Sequence, residues 1–238
     1  NTVVAKPAEQ TSLVAHFAVQ LMYQAGVPAS ALQFVTGGGE VGGALTAADN
    51  IAGVVFTGST RTAQRINQSL NDHPQASGEL PVLIAETGGQ NAMIVDSTAL
   101  PEQVVKDAVL SAFGSAGQRC SACRILCIQE DIADNLIELL QGNMAELVVG
   151  NPTYVATDVG PVIDATAKKA LEAHIERMQS EPTASILAQT PMSAYSMVSE
   201  AQSTFVLPTV IEVQSIDVIG GEHFGPILHV LRYQARDL

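Results

Sequence analysis

The stretch Ile51-Ala52-Gly53-Val54-Val55-Phe56, followed at once by Thr57-Gly58-Ser59-Thr60, decides the architecture of this chain. A run without a charge, ending in β-branched and aromatic side chains, fits a strand buried on both faces. The small, hydroxylated turn after it opens a segment that reads as a helix to about Leu70, and residues 80–85 form the next apolar strand. Strand, helix and strand in this order make a βαβ unit, and such units build parallel sheets. The pattern continues upstream. Residues 2–6 read as a strand, and residues 11–25 as a helix with Leu13, Val14, Phe17, Ala18, Leu21 and Met22 at the spacing of one face. Gly26 and Pro28 stop that helix. A short strand is expected at 32–35 and a short helix at 41–48.

Gly88-Gly89 interrupts the pattern, so a boundary is expected there, with one domain over 1–87 and a second over 88–238. Downstream, strands are expected at 92–95 and 124–129. A helix is expected at 102–113, with Pro101 at its start, and amphipathic helices at 132–147 and 165–178, the last capped by Asp164. Residues 180–204 are polar and broken by Pro182 and Pro191, which reads as a surface excursion. Strands at 205–211 and 227–233 complete the series. Both ends of the chain read as cut within a longer protein.

Composition narrows the function classes. The 238 residues are 47% apolar, enough for a sizeable core. Asp and Glu number 24 against 11 Lys and Arg, a net charge of −13, which disfavours a nucleic-acid surface. No apolar run approaches the roughly 18 residues that span a bilayer, and no signal peptide opens the chain. Three cysteines, Cys120, Cys123 and Cys127, are an odd number, consistent with reduced thiols and a cytoplasmic setting. Trp is absent.

Several short motifs carry candidate chemistry. Gly37, Gly39 and Gly42 match G-x-G-x-x-G, but residues 55–65 lack the acidic side chain that a full dinucleotide fingerprint places about 20 positions on, so a glycine-rich turn is the simpler reading. Thr57-Gly58-Ser59-Thr60 is either an anion site at a helix N-terminus or an ordinary N-cap. Lys6 and Glu9, just past the first strand, would grip ribose hydroxyls or pair on the surface. Glu86, at the end of a buried strand and before Thr87-Gly88-Gly89, is a general-base candidate or a solvated charge. Cys120 lies among small residues, with Arg119 beside it to favour the thiolate. Cys123 and Cys127 read as packing residues. The Cys120–Cys123 spacing lacks the context of a redox motif, and no His pairing completes a zinc set. In Glu222-His223-Phe224-Gly225-Pro226, a carboxylate and an aromatic ring stand together on a loop.

Taken in order, Lys6-Pro7-Ala8-Glu9, Phe56-Thr57-Gly58-Ser59-Thr60, Glu86-Thr87-Gly88-Gly89, Gly117-Gln118-Arg119-Cys120 and Glu222-His223-Phe224-Gly225-Pro226 resemble the aldehyde dehydrogenase superfamily along the whole chain. The interval of 34 positions from Glu86 to Cys120 fits that family's spacing of base and nucleophile. Residues 5–11, 85–96, 115–122 and 157–164 are similar to the aldehyde dehydrogenase module of bifunctional proline-utilising flavoproteins.

The resemblance implies an α/β fold, with a partial Rossmann-type NAD-binding layer followed by a three-layer α/β catalytic domain truncated before a C-terminal arm. It implies oxidation of L-glutamate γ-semialdehyde to glutamate, with Cys120 as nucleophile and Glu86 as base for hydrolysis. NAD would be held by Lys6, Glu9, Gly39, Gly43, Phe56, Thr57, Gly58, Ser59, Gly88, Glu222 and Phe224. Arg119 and Ser121 would contact the aldehyde substrate, and no metal is implied. The longer protein would carry FAD in another domain and form a homo-oligomer. Two departures stand out. Arg61 replaces the acidic residue that usually follows Gly-Ser-Thr. The family's oxyanion-donating Asn lies in a Trp-containing segment upstream of this chain, so low or absent activity is expected of this stretch alone. Another semialdehyde or broad-range aldehyde dehydrogenase and a catalytically silent piece are the alternatives.

Overall fold

A computed structural model describes residues 2–75, 77–191 and 203–237, and resolves them into two compact units, Asn1–Gly88 and Gly89–Leu238. In the first unit, β1 (Val3–Ala5), α1 (Ser12–Gln24) and β2 (Leu32–Phe34) form one βαβ element, with β1 and β2 paired in parallel. After α2 (Gly39–Thr46), a second such element follows: β3 (Gly53–Thr57), α3 (Thr60–Asp72) and β4 (Val82–Glu86), again parallel, with Thr57 opposite Glu86. The expected βαβ order is therefore present, but the single doubly wound layer is not. The two pairs form separate two-stranded sheets. Strands β3 and β4, expected to be buried on both faces, leave Val55, Val82 and Ile84 exposed, because neither pair is covered on both sides. The two pairs are linked through their helices, where Thr46 Oγ1 on α2 donates to Ser69 Oγ on α3 at 2.9 Å.

The apolar stripe of α1 also behaves differently from expectation. Leu13, Val14, Phe17, Leu21 and Met22 are exposed, and Val19 is the buried residue of that helix. Strands lie only about 4.7–4.9 Å apart, so a pair offers too narrow a floor to cover a full helix face.

The second unit holds the main core. Its five-stranded sheet runs β5-β6-β9-β8-β7, formed by β5 (Asn91–Val95), β6 (Cys123–Gln129), β7 (Ala184–Gln189), β8 (Thr209–Val213) and β9 (Ile227–Tyr233). All neighbours are parallel except the β7–β8 pair. Central strands of such sheets are covered on both faces, which is why Leu126, Ile128, Val210, Ile211, Leu228 and Val230 are all fully enclosed. Helices α4 (Pro101–Phe113), α5 (Glu130–Ala145) and α6 (Ala165–Gln179) bring Val105, Val109, Leu136, Leu140, Leu171 and Met178 into the same core. Asp164 caps α6 as expected, its Oδ1 accepting from Ala167 N at 2.8 Å.

Two expectations for this unit need correction. The polar segment assigned to the surface contributes β7, an edge strand whose antiparallel pairing with β8 tolerates its mixed side chains. Residues 192–202 of that segment lie outside the described residues. The strand expected from 205 begins at Thr209, because Phe205 and Val206 are buried as an irregular approach and Pro208 denies the ladder a donor.

Candidate active site

The first unit gathers its candidate residues at the C-terminal ends of its strands. Lys6 follows β1, and its Nζ donates to the Pro7 carbonyl at 2.8 Å and the Gly37 carbonyl at 2.7 Å. An ammonium has three donors, so one remains for a ligand hydroxyl. The glycines beside it make room. A Cβ on Gly38 would sit 3.0 Å from Glu9 Oε1, and one on Gly42 would sit 3.5 Å from Lys6 Cε. Gly39 and Gly43, in the first turns of α2, border open space. Lys6, Glu9 and the glycine-rich turn, read separately in the sequence, thus form one place.

The second pair of strands does the same for the hydroxylated turn. Gly58 N donates to the Glu86 carbonyl at 3.1 Å, fixing the turn against the end of β4. The Phe56 ring lies against Gly58, where a Cβ would collide with it. Ser59 is the N-cap of α3: its Oγ accepts from Thr62 N at 3.2 Å and bonds the Thr62 hydroxyl at 2.9 Å. The N-cap reading of this turn is therefore the one seen, and an N-cap leaves the first N–H groups of the helix without helical acceptors. Glu86 ends β4 with an exposed side chain, next to the boundary marked by Gly88.

In the second unit, the loop that carries Cys120 is built on strained backbone. After α4, Ser115 (φ 55°), Ala116 (φ 53°) and Gly117 (φ 64°) are consecutive left-handed residues. That conformation costs roughly 1–2 kcal/mol at each non-glycine position, and such strain persists only where surrounding bonds over-determine it. Those bonds are explicit. Asn91 Nδ2 donates to the Cys120 carbonyl at 2.6 Å and the Ala122 carbonyl at 3.0 Å. Gln118 Oε1 accepts from Ile163 N at 2.9 Å. Cys120 itself is an exposed free thiol, whereas Cys123 is buried at the start of β6, where burial pushes its thiol pKa up. Arg119 and Ser121, flanking Cys120, line a shallow cleft of about 240 Å³ together with Asp107, Leu110 and Ser111.

Arg124 is the residue that sequence reasoning missed. Placed in β6, it is only 2% exposed, with burial lowering its guanidinium pKa and Glu222 opposing that fall. Its Nη1 donates to the carbonyls of Gly117 (2.6 Å) and Gly225 (3.0 Å), and its Nη2 to that of Arg119 (3.3 Å). Nη2 also stands 3.6 Å from Glu222 Oε1, and the guanidinium lies 5.2 Å from the Phe224 ring centroid. A charge inside a strand, hidden among apolar neighbours, gives no periodic signal to find it by. Glu222 Oε1 is buried without a hydrogen-bond partner among the described residues.

Two buried histidines, unpaired in sequence, form a relay beside this loop, with a third, His223, stacked against it. Arg177 Nη2 donates to His174 Nδ1 at 3.0 Å, so His174 carries its proton on Nε2 and points it at His229 Nε2, 2.9 Å away. His229 then donates from Nδ1 to the Arg124 carbonyl at 3.3 Å. The His223 ring stacks on His174 at 3.4 Å. Burial holds His174 down to about 3, helped by the neighbouring His223, His229 and Arg177 charges, and holds His229 down to about 4. The unfolded chain takes up protons on these rings as pH falls through about 6.5, whereas the folded chain does not. Stability is therefore undiminished above that pH and lost on acidification towards 4. For His229 alone the loss is expected to reach about 2 kcal/mol by about pH 5. Urea unfolding at stepped pH checks it: a His229→Asn variant should show the shallower acid slope, and identical slopes would remove the assignment.

The whole chain now admits comparison. The profile of the aldehyde dehydrogenase family matches residues 1–237. The chain belongs to the aldehyde dehydrogenase family. The bifunctional protein PutA of Klebsiella aerogenes is 48% identical over 244 aligned residues, covering 100% of this chain and 18% of that protein. A crystal structure of proline utilization A from Bradyrhizobium japonicum superimposes with a TM-score of 0.91 at 52% identity, over 100% of this chain and 23% of that one. The Δ-pyrroline-5-carboxylate dehydrogenase of Mycobacterium tuberculosis matches with a TM-score of 0.87 and 28% identity, over 99% of this chain and 42% of that one. This aldehyde dehydrogenase chain thus spans about a fifth of the length of the PutA relatives it matches. Among its described residues, no helix is long and apolar enough to cross a membrane.

Proposed function

We propose that this chain carries the nucleophile and base of an NAD-dependent dehydrogenase that oxidises L-glutamate γ-semialdehyde to L-glutamate. The observation that carries the reading is the Cys120 loop: an exposed thiol on strained backbone whose carbonyls are tied from two sides by Asn91 and Arg124. The similarity to proline utilization A and to a pyrroline-5-carboxylate dehydrogenase supports the choice of substrate.

Taken unit by unit, the residues suit parts of a dinucleotide. Lys6 keeps a spare donor, Gly39 and Gly43 border open space, the α3 N-terminus follows Phe56, Thr57, Gly58 and Ser59, and the Glu222 side chain is 21% exposed. Lys6 and Glu9 would hold one ribose, the α3 N-terminus the pyrophosphate, and Glu222 with Phe224 the nicotinamide end. Bound there, NAD+ supplies the hydride acceptor. The chain's own chemistry is acyl transfer in two halves. The Cys120 thiolate adds to the aldehyde carbon, forming a C–S bond and a thiohemiacetal. Once oxidised to the thioester, the acyl group is attacked by water whose proton Glu86 accepts. The C–S bond then breaks, releasing the carboxylic acid and returning the thiolate. Arg119 and Ser121, which flank the nucleophile and line the cleft, would orient the substrate's carboxylate end.

The test follows NADH absorbance with NAD+ and L-glutamate γ-semialdehyde in the longer protein that contains this stretch, against Cys120→Ala. NADH above that control is the expected result. In the longer protein, NADH formation that survived Cys120→Ala would refute the role of the thiol.

A further inference from the structure

We propose that Arg124 is a positioning residue whose single buried guanidinium locks the Cys120 loop and the Glu222–Gly225 loop into one register. The inference rests on the roles given above to Cys120 and Glu222, and extends them to a side chain that touches neither substrate nor cofactor.

The geometry is specific. From one side, Arg124 donates to the carbonyls of Gly117 and Arg119, the residues that lead into Cys120. From the other, it donates to the Gly225 carbonyl and faces Glu222 and Phe224. One planar fork therefore binds both loops, which a lysine ammonium on a flexible stem cannot reproduce. The fork is itself held from behind, since its backbone carbonyl receives the His229 end of the histidine relay. The close approach it enforces is visible in the glycines. Gly117 faces the Gly225 carbonyl with no room for a Cβ, and Gly225 packs on Leu171 in the same way.

The arrangement also explains an otherwise costly feature. Arg124 Nε and Glu222 Oε1 are both buried without hydrogen-bond partners among the described residues. The two charges attract across 3.6 Å rather than closing into a bonded pair. Glu222 is thereby oriented by Arg124 through its buried Oε1, while its side chain as a whole stays 21% exposed. A closed bidentate pair would have engaged both carboxylate oxygens.

The experiment compares wild type, Arg124→Lys and Arg124→Met in that longer protein. Amide deuterium uptake is read by peptide, and NAD+ KM and kcat are read separately in the assay above. Arg124→Lys is expected to raise uptake at least about fivefold in both 117–122 and 222–226, with β8 and β9 unchanged. In the same variant, NAD+ KM rises and kcat falls together. A general loss of folded protein would instead lower kcat alone and raise uptake everywhere. If Arg124→Met does not fold, Arg124→Lys decides. Uptake raised in only one loop, in neither, or across the whole sheet overturns the proposal. Wild-type protein that makes no NADH would count against the assigned activity, while the uptake pattern still decides the role of Arg124.

Discussion

Glu86→Gln in the longer protein is expected to convert continuous turnover into a single burst, with one NADH formed per Cys120 and little thereafter. The substitution keeps the shape of the side chain and removes its basicity. Thiol addition and oxidation do not require a base at this position, whereas hydrolysis of the thioester does. Losing a general base costs about 10²–10⁴ in rate. The backbone at this position is well fixed, because the Glu86 carbonyl accepts from Gly58 N and the residue sits opposite Thr57 in the β3–β4 pair. The side chain is exposed, so the exchange disturbs no core. Rapid mixing with NAD+ and the semialdehyde, followed at the NADH absorbance, separates the burst from the steady state. Steady-state rates within a few-fold of wild type would remove Glu86 from the hydrolytic step.

Gly117→Ala is expected to destabilise the second unit by about 3 kcal/mol or more. Gly117 holds a φ of 64°, where an L side chain adds strain, and a Cβ there would overlap the Gly225 carbonyl oxygen and crowd the Ala112 carbonyl. All of these neighbours are backbone, so relief requires moving the Cys120 loop or its partner loop. Gly142→Ala is the matched control. Gly142 lies within α5 with nothing near a built Cβ, and there alanine should stabilise by about 0.5–1 kcal/mol. Urea unfolding of both variants measures the contrast. Similar midpoints for the two would show that the Gly117–Gly225 approach is not tight.

Much of this protein was legible in its residues. Alternating apolar strands and helical segments announced parallel βαβ units, although burial on both faces holds for the central strands of the second unit and not for β3 and β4, where Val55, Val82 and Ile84 are exposed. Asp164, Pro101 and Ser59 marked helix starts through chemistry that acts within one turn. The order of Lys6, Thr57-Gly58-Ser59-Thr60, Glu86, Cys120 and Glu222 carried the family resemblance, which the match over residues 1–237 supports independently. The polar segment holding β7 was misread for a corresponding reason. An edge strand with antiparallel pairing needs no apolar run, so composition pointed to the surface.

What only the tertiary structure decided lies in contacts between residues far apart in the chain. Arg124 reaches Gly225 across 101 positions, and His174 meets His229 across 55. Neither leaves a local pattern, because a buried polar group is satisfied by whatever the fold brings to it. The sequence by itself determined the element types and the reactive side chains, through local backbone preference and motif order. The fold alone determined how the Cys120 loop is held, because the hydrogen bonds that offset its left-handed strain come from Asn91 on β5 and from the buried Arg124 on β6.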